Sequence, residues 1–296
     1  MATFGDMIDE VKQNLNGYTL NQERISYLAS AIDNNDTLIS LGDTANLVKG
    51  IVEIDDELMY AISFDKNQGT MSIAPGFGRG YQGTTPAAHS QYAQVIINPM
   101  FPRSAIKRAI NDTIETCGLD VVSTYTFTYS PARVTYALPD DVKDVLAVSY
   151  STIGASKEWA PIRAWRHDKS ANTEAFDSTQ SISLYSGVEP GRTVQVTYLE
   201  DPVPMVSPAN DFSAVTGLSE SVRDMIIWGA CYRLASYIDA GRMNLTSAEA
   251  DLANTKIPLT AGTNAARYFY ANYQQRLAEE KAKQQKNKPI RTHYTR

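Results

Sequence analysis

The 296-residue chain is 43% apolar and 20% charged, the make-up of an ordinary folded protein long enough to bury a sizeable core without disulfide or metal staples. No apolar run reaches the roughly 18 residues of a membrane helix, and an opening that carries Asp6, Asp9 and Glu10 is unlike a secretory leader. The net charge of −6 is unevenly spread: residues 276–296 net +5 and the rest −11, so the body of the protein is a poor non-specific binder of nucleic acid.

Residues 3–16 predict a helix, with Thr3 as cap, Phe4, Met7, Ile8, Val11 and Leu15 as one apolar stripe and Gly17 as the stop. A second helix is predicted from about Asn21 to Ile32, on Ile25, Leu28, Ala29 and Ile32, entered through Thr19 and Gln22 at capping-box spacing. The period then becomes that of strands over Leu38–Leu41, Gly50–Ile54, Leu58–Phe64, Thr70–Ala74 and Ala93–Asn98, with turns at Asp55-Asp56 and Asn67-Gln68-Gly69. Pro102 opens another helix, which carries Ile106, Ala109, Ile110, Ile114 and Cys117 and closes at Gly118.

A second β region follows, clearest at Thr124–Tyr129, Arg133–Leu138, Val142–Ser151, Ser181–Tyr185 and Thr193–Leu199. Pro202, Pro204 and Pro208 form a linker. A long helix is predicted from Ser219 to Ala240, burying Val222, Met225, Ile226, Leu234, Tyr237 and Ile238, with a short helix at 247–254. A last helix starts near Thr263, carries Ala266, Phe269, Tyr270, Tyr273 and Leu277, and turns polar after Glu279.

The expected fold is α+β: a core bundle of about five helices with two antiparallel β insertions and an extended C-terminal tail. The expected divisions are N-terminal core helices at 1–36, a β module at 37–100, a core helix at 101–120, a second β domain at 121–210, C-terminal core helices at 211–286 and the tail at 287–296.

The search for chemistry finds little. Gly78-Arg79-Gly80-Tyr81-Gln82-Gly83 has the spacing of a dinucleotide fingerprint, but Thr84, Thr85, Pro86 and a strand follow where a helix must begin, so a glycine-rich hairpin loop is the better reading. His89, His167 and His293 lack partners at ligand spacing, and no metal or cofactor is expected. His89 is placed to meet Asp55, Asp56 or Glu57 across the first β module, as a structural turn histidine. Cys117 and Cys231 sit in apolar helical patterns and read as buried free thiols of a protein assembled in a reducing cytoplasm. Trp159 and Trp165 flank Pro161; they fit packing between sheets, or stacking on sugars in a carbohydrate-binding module. No catalytic residue is nominated.

Three stretches carry a resemblance: Val52 to Tyr60, containing Asp55-Asp56-Glu57; Gly76 to Thr84, containing Arg79-Gly80-Tyr81-Gln82-Gly83-Thr84; and Ala87-Ala88-His89-Ser90 leading to Val95-Ile96-Ile97. Their order and spacing resemble a β module recurrent in neck and tail proteins of tailed bacteriophages. With the helix after Phe101-Pro102-Arg103, the Leu138-Pro139-Asp140-Asp141 turn and the long C-terminal helices, most of the chain resembles the head-to-tail connector, or adaptor, of long-tailed phages. That resemblance implies a non-enzymatic virion protein, a homo-oligomeric ring of twelve beneath the portal. It would contact the portal and the next neck ring (a stopper or tail terminator) and line the conduit for DNA without sequence-specific binding. The tail would dock on the portal through Lys286, Lys288, Pro289, Ile290, Arg291, Tyr294 and Arg296. Another tail-completion or tail-tip protein is the alternative within the virion.

Overall fold

The computed structural model describes residues 2–17, 23–45, 47–152, 158–172, 174, 176–185, 187–240 and 261–287. Among them are five α-helices and thirteen strands, and the strands form three sheets. The chain divides into two compact units, Ala2–Thr113 with Arg223–Gln274, and Ile114–Val222 with Gln275–Arg296.

In the first unit, helix α1 (Phe4–Asn16) is set by a reciprocal capping box. The Thr3 hydroxyl accepts from the Asp6 N–H at 3.2 Å, and the Asp6 carboxylate accepts from the Thr3 N–H at 2.8 Å. Its predicted stripe, Phe4, Met7, Ile8, Val11 and Leu15, is wholly buried, and α1 packs on helix α4 (Arg223–Ala240). Helix α2 (Arg103–Thr116) and the first half of helix α5 (Ala261–Asn287) close on α4 at Gly229. A Cβ there would lie 2.3 Å from Thr113 Cγ2 and 3.1 Å from the Tyr273 ring.

The same unit holds a six-stranded antiparallel sheet built from β1 (Arg24–Tyr27), β2 (Leu38–Ser40), β3 (Gly50–Ile54), β4 (Glu57–Asp65), β5 (Thr70–Ile73) and β6 (Gln94–Ile97), in the order β1-β6-β3-β4-β5-β2. It curls until its edges meet. Leu28 bridges Leu41, the Ala29 N–H donates to Ser40 at 2.9 Å, and the Gly42 N–H donates to Tyr27 at 2.9 Å. The inside is a cluster that includes Leu28, Ile39, Val52, Ile54, Met59 and Met71.

The second unit is a sandwich. One sheet runs β10-β9-β13-β7, from β7 (Val121–Thr128), β9 (Asp144–Ser151), β10 (Trp159–Pro161) and β13 (Thr193–Glu200). The other runs β11-β12-β8, from β8 (Thr135–Leu138), β11 (Trp165–Asp168) and β12 (Gln180–Leu184). Val145, Val148, Val194 and Val196 of the first meet Leu138, Ile182 and Leu184 of the second. Tyr136 braces the β7–β8 connection: its hydroxyl accepts from the Ser130 N–H at 2.9 Å and donates to the Ser130 carbonyl at 2.8 Å. A short helix α3 (Phe212–Thr216) follows, capped by Asp211.

The expectation of a helical bundle carrying two β insertions is overturned. Helix and strand are nearly equal, 32% against 30%, and three sheets organise the fold. Both the curled sheet and the sandwich enclose apolar cores of their own, so they are not ornaments on a helical centre. The expected helix at Asn21–Ile32 is the clearest case. Residues 24–27 are β1, paired with β6 from Arg24↔Ile97 to Tyr27↔Gln94. Four apolar positions spaced three and four apart are too short a run to separate the two periods, and Ile25, placed on the helical stripe, is 49% exposed. Thr19 and Gln22 lie outside the described residues, as do the helix expected at 247–254 and the tail after Asn287. Tyr237, expected on the buried face of α4, is exposed.

Candidate functional site

The three stretches that carry the motif converge on one buried carboxylate. Asp55 and Asp56 turn β3 into β4, with Asp55 at φ 50°, and Glu57 opens β4 with its side chain fully buried. Arg79 meets it as a fork: Nε donates to Oε1 at 2.7 Å and Nη2 to Oε2 at 2.9 Å. The rest of the guanidinium donates to the carbonyls of Asp33, Asp36 and Ala87 at 2.7, 2.9 and 2.7 Å. Backbone N–H groups of Gly80 and Ala87 add bonds to Glu57 at 3.0 and 2.9 Å. His89 closes the clasp, with Nε2 3.0 Å from Glu57 and Nδ1 2.7 Å from Asp55.

Gly80 is required here. It sits at φ 61°, and a Cβ would come within 2.7 Å of the Thr84 carbonyl. The glycine loop therefore serves to bring an N–H and an arginine to a carboxylate, not to cradle phosphate.

The electrostatics describe a charged clasp. Burial pushes the Glu57 carboxyl up, but the Arg79 fork, His89 and the two backbone donors outweigh it and hold the group at about 2. The Glu57 contact, opposed by burial and helped by Asp55, raises His89. Both imidazole nitrogens face carboxylates, so the ring is held as a donor on both sides. A nearby carboxylate behaves in the opposite way. Glu53 on β3 accepts from the Arg103 N–H at 3.2 Å and so caps α2, yet burial, opposed by Lys12 and Arg103, raises it to about 7.

Elsewhere, chemistry is scarce. Both cysteines are free and buried, and burial lifts Cys231 to about 12. Among the described residues, no group of three or more His, Cys, Asp or Glu could hold a metal ion. Trp165 packs partly buried on the sandwich core, while Trp159 on β10 is exposed, so the two do not form one platform.

Sequence reasoning missed a cleft of about 940 Å³ beside β7 and β8, which are outer strands among the described residues; it is lined by Tyr125, Phe127, Tyr136, Phe176, Arg133 and Asp177. Its signal was present: Tyr125, Phe127 and Tyr129 alternate along one strand face.

Of the residues expected to dock, Lys286 lies exposed in the last turn of α5; Lys288, Pro289, Ile290, Arg291, Tyr294 and Arg296 lie outside the described residues. The basic stretch is less free than its charge suggests. Arg276 pairs with Glu279 and Glu280 at 2.8 and 3.2 Å, and Lys283 with Glu280 at 2.7 Å.

A family model described as the SU10 adaptor protein matches residues 90–293, more than two thirds of the chain. The chain belongs to the SU10 adaptor protein family. It is thus a structural adaptor of a bacteriophage and a component of the virion. The match begins at Ser90, so it covers α2, the sandwich and the C-terminal helices but only the last residues of the clasp module. A search of curated proteins gives no match.

Proposed function

We propose that this adaptor is a ring-forming neck subunit, set between the portal and the next neck or tail protein and lining the DNA conduit. Its residues from Lys286 onward grip the portal. Family membership carries the reading, and the division of charge supports it. A body of net −11 passes DNA without holding it, while a basic segment suits an acidic groove on a preformed partner. A ring of twelve closes through a head-to-tail interface.

The test is deletion of residues 287–296. The truncated chain is expected to fold, with unchanged circular dichroism and melting, and to lose the portal in a pull-down. Portal capture equal to that of the full chain refutes the grip. Mass photometry of adaptor assembled on isolated portal rings reads the subunit number, and any count other than twelve removes that part of the proposal.

A further inference from the structure

The two sides of the sandwich differ. Among the described residues, β7 and β8 end the two sheets on one side, and β10 and β11 end them on the other. The cleft lies on the first side, with Tyr125 and Phe127 of β7 half-buried in it and Tyr136 stacked on Phe127 at 4.3 Å between ring centroids. Val134 in the same lining is 55% exposed. On the far side, Trp159 of β10 is 46% exposed. It pairs with Ser151 and faces away from the core, while Ala160 takes the inward position opposite Tyr150. Strand β10 has only three residues and contains Pro161, so it is guarded against pairing edge to edge. What it offers a partner is the indole.

The charges divide in the same way. Arg133 and Asp177 stand exposed in the lining of the cleft, and Glu158 and Arg163 stand exposed before and after Trp159 in the chain. Among the described residues none of these four has an ion pair. A cleft on one side and an aromatic anchor on the other are the two halves of a head-to-tail contact. Repeated from copy to copy, such a contact makes a ring when its rotation closes.

From these observations we infer that Trp159 of one copy seats in the cleft beside β7 and β8 of a second copy, with Glu158 meeting Arg133 and Arg163 meeting Asp177. The occupant is a second copy because this one sandwich carries both halves of the contact, apolar and charged. The inference rests on the ring proposed above and names a contact through which neighbouring copies join. The indole supplies apolar area, as aromatic anchors do at the centres of interfaces, and the two charge pairs set its register. At about 940 Å³ the cleft has room for the indole and the side chains beside it.

Sedimentation velocity of the full chain over a concentration series tests it, with thermal melting as the check on folding. The wild type is expected to associate. Trp159→Ala and Arg133→Glu, both at exposed positions, are expected to melt like the wild type and to weaken association about tenfold or more. Glu158→Arg is expected to weaken it likewise, and to regain it when combined with Arg133→Glu. The Trp159→Ala chain keeps its cleft and the Arg133→Glu chain keeps its indole. Their mixture is therefore expected to form dimers at a concentration where each alone is monomeric. Association of Trp159→Ala equal to the wild type overturns the inference, as does a double charge variant no better than either single one. A mixture that stays monomeric overturns the head-to-tail arrangement. Subunit counts on portal rings are scored separately. Trp159→Ala assemblies of unchanged count sink this contact and leave the ring. A wild type that associates through the cleft but builds no closed ring on the portal sinks the ring alone, and one that stays monomeric both free and on the portal sinks both.

Discussion

The Glu57 clasp makes a quantitative claim about acid stability. A carboxyl held at about 2 in the folded chain against an ordinary 4.5 corresponds to about 3 kcal/mol of stability. The folded value is the lower one, so this contribution is complete above pH 4.5 and is lost as pH falls through 2. Glu57→Gln keeps the shape and cannot titrate. Urea unfolding of wild type and variant, run at half-unit steps from pH 2 to 6, should show their difference growing by up to about 1.4 kcal/mol per pH unit and levelling off above pH 4.5. Arg79→Met at pH 7 strips the fork from a fully buried carboxylate and should cost about 3–5 kcal/mol. A Glu57→Gln profile parallel to wild type throughout would falsify the claim that the clasp is charged. An Arg79→Met cost within about 0.5 kcal/mol, the range of an unremarkable surface change, would show that Arg79 is not what satisfies Glu57.

Other consequences follow from single residues. Glu53, raised to about 7 by burial, has the opposite sign: its folded value exceeds 4.5, so the charge costs stability as pH rises from 4.5 to 7. The advantage of Glu53→Gln over wild type should grow by about 3 kcal/mol across that interval in the same urea series; no growth removes the assignment. Gly229→Val should destabilise by about 1–3 kcal/mol in thermal melts, because the added atoms overlap Thr113 and Tyr273. Tyr136→Phe, which leaves the Ser130 N–H without its acceptor, should cost about 1–3 kcal/mol in urea unfolding. Cys231, buried and raised to about 12, should react with a thiol reagent only at the rate of unfolding; prompt labelling in native buffer contradicts its burial.

What the sequence yielded depended on how much of each element is decided locally. Helix α1 was read correctly because cap, stripe and stop all lie within fifteen residues, and its capping box is made by neighbours. The strands β3 and β4 were read because short runs of strand-forming residues, Val52–Ile54 and Leu58–Tyr60, flank the Asp55-Asp56 turn that pairs them. Strand β1 was misread because what decides it is β6, some seventy residues away. No window around Ile25 contains that information. The short strands β10 and β11 escaped for the same reason: three or four residues carry no period, and only pairing with β9 and β12 makes them strands.

The clasp shows where motif reading stops and geometry takes over. Asp55, Glu57, Arg79, Gly80 and His89 were all singled out in the sequence, and His89 was placed near the acidic turn. What spacing could not supply was the centre. Glu57 is flanked by Ile54 of β3 and by Leu58 and Met59 of β4, all buried, and a carboxylate among them must be satisfied or neutral. Arg79 satisfies it from a loop whose glycines permit the approach. The motif therefore records the requirements of one buried charge, with the glycine for access, the arginine for the fork and the histidine to bridge Glu57 to Asp55. Such a clasp ties the loop to the β3–β4 turn whatever the adaptor touches. The match to the family begins one residue beyond His89, so the clasp is a feature of this chain outside the stretch that the family model covers.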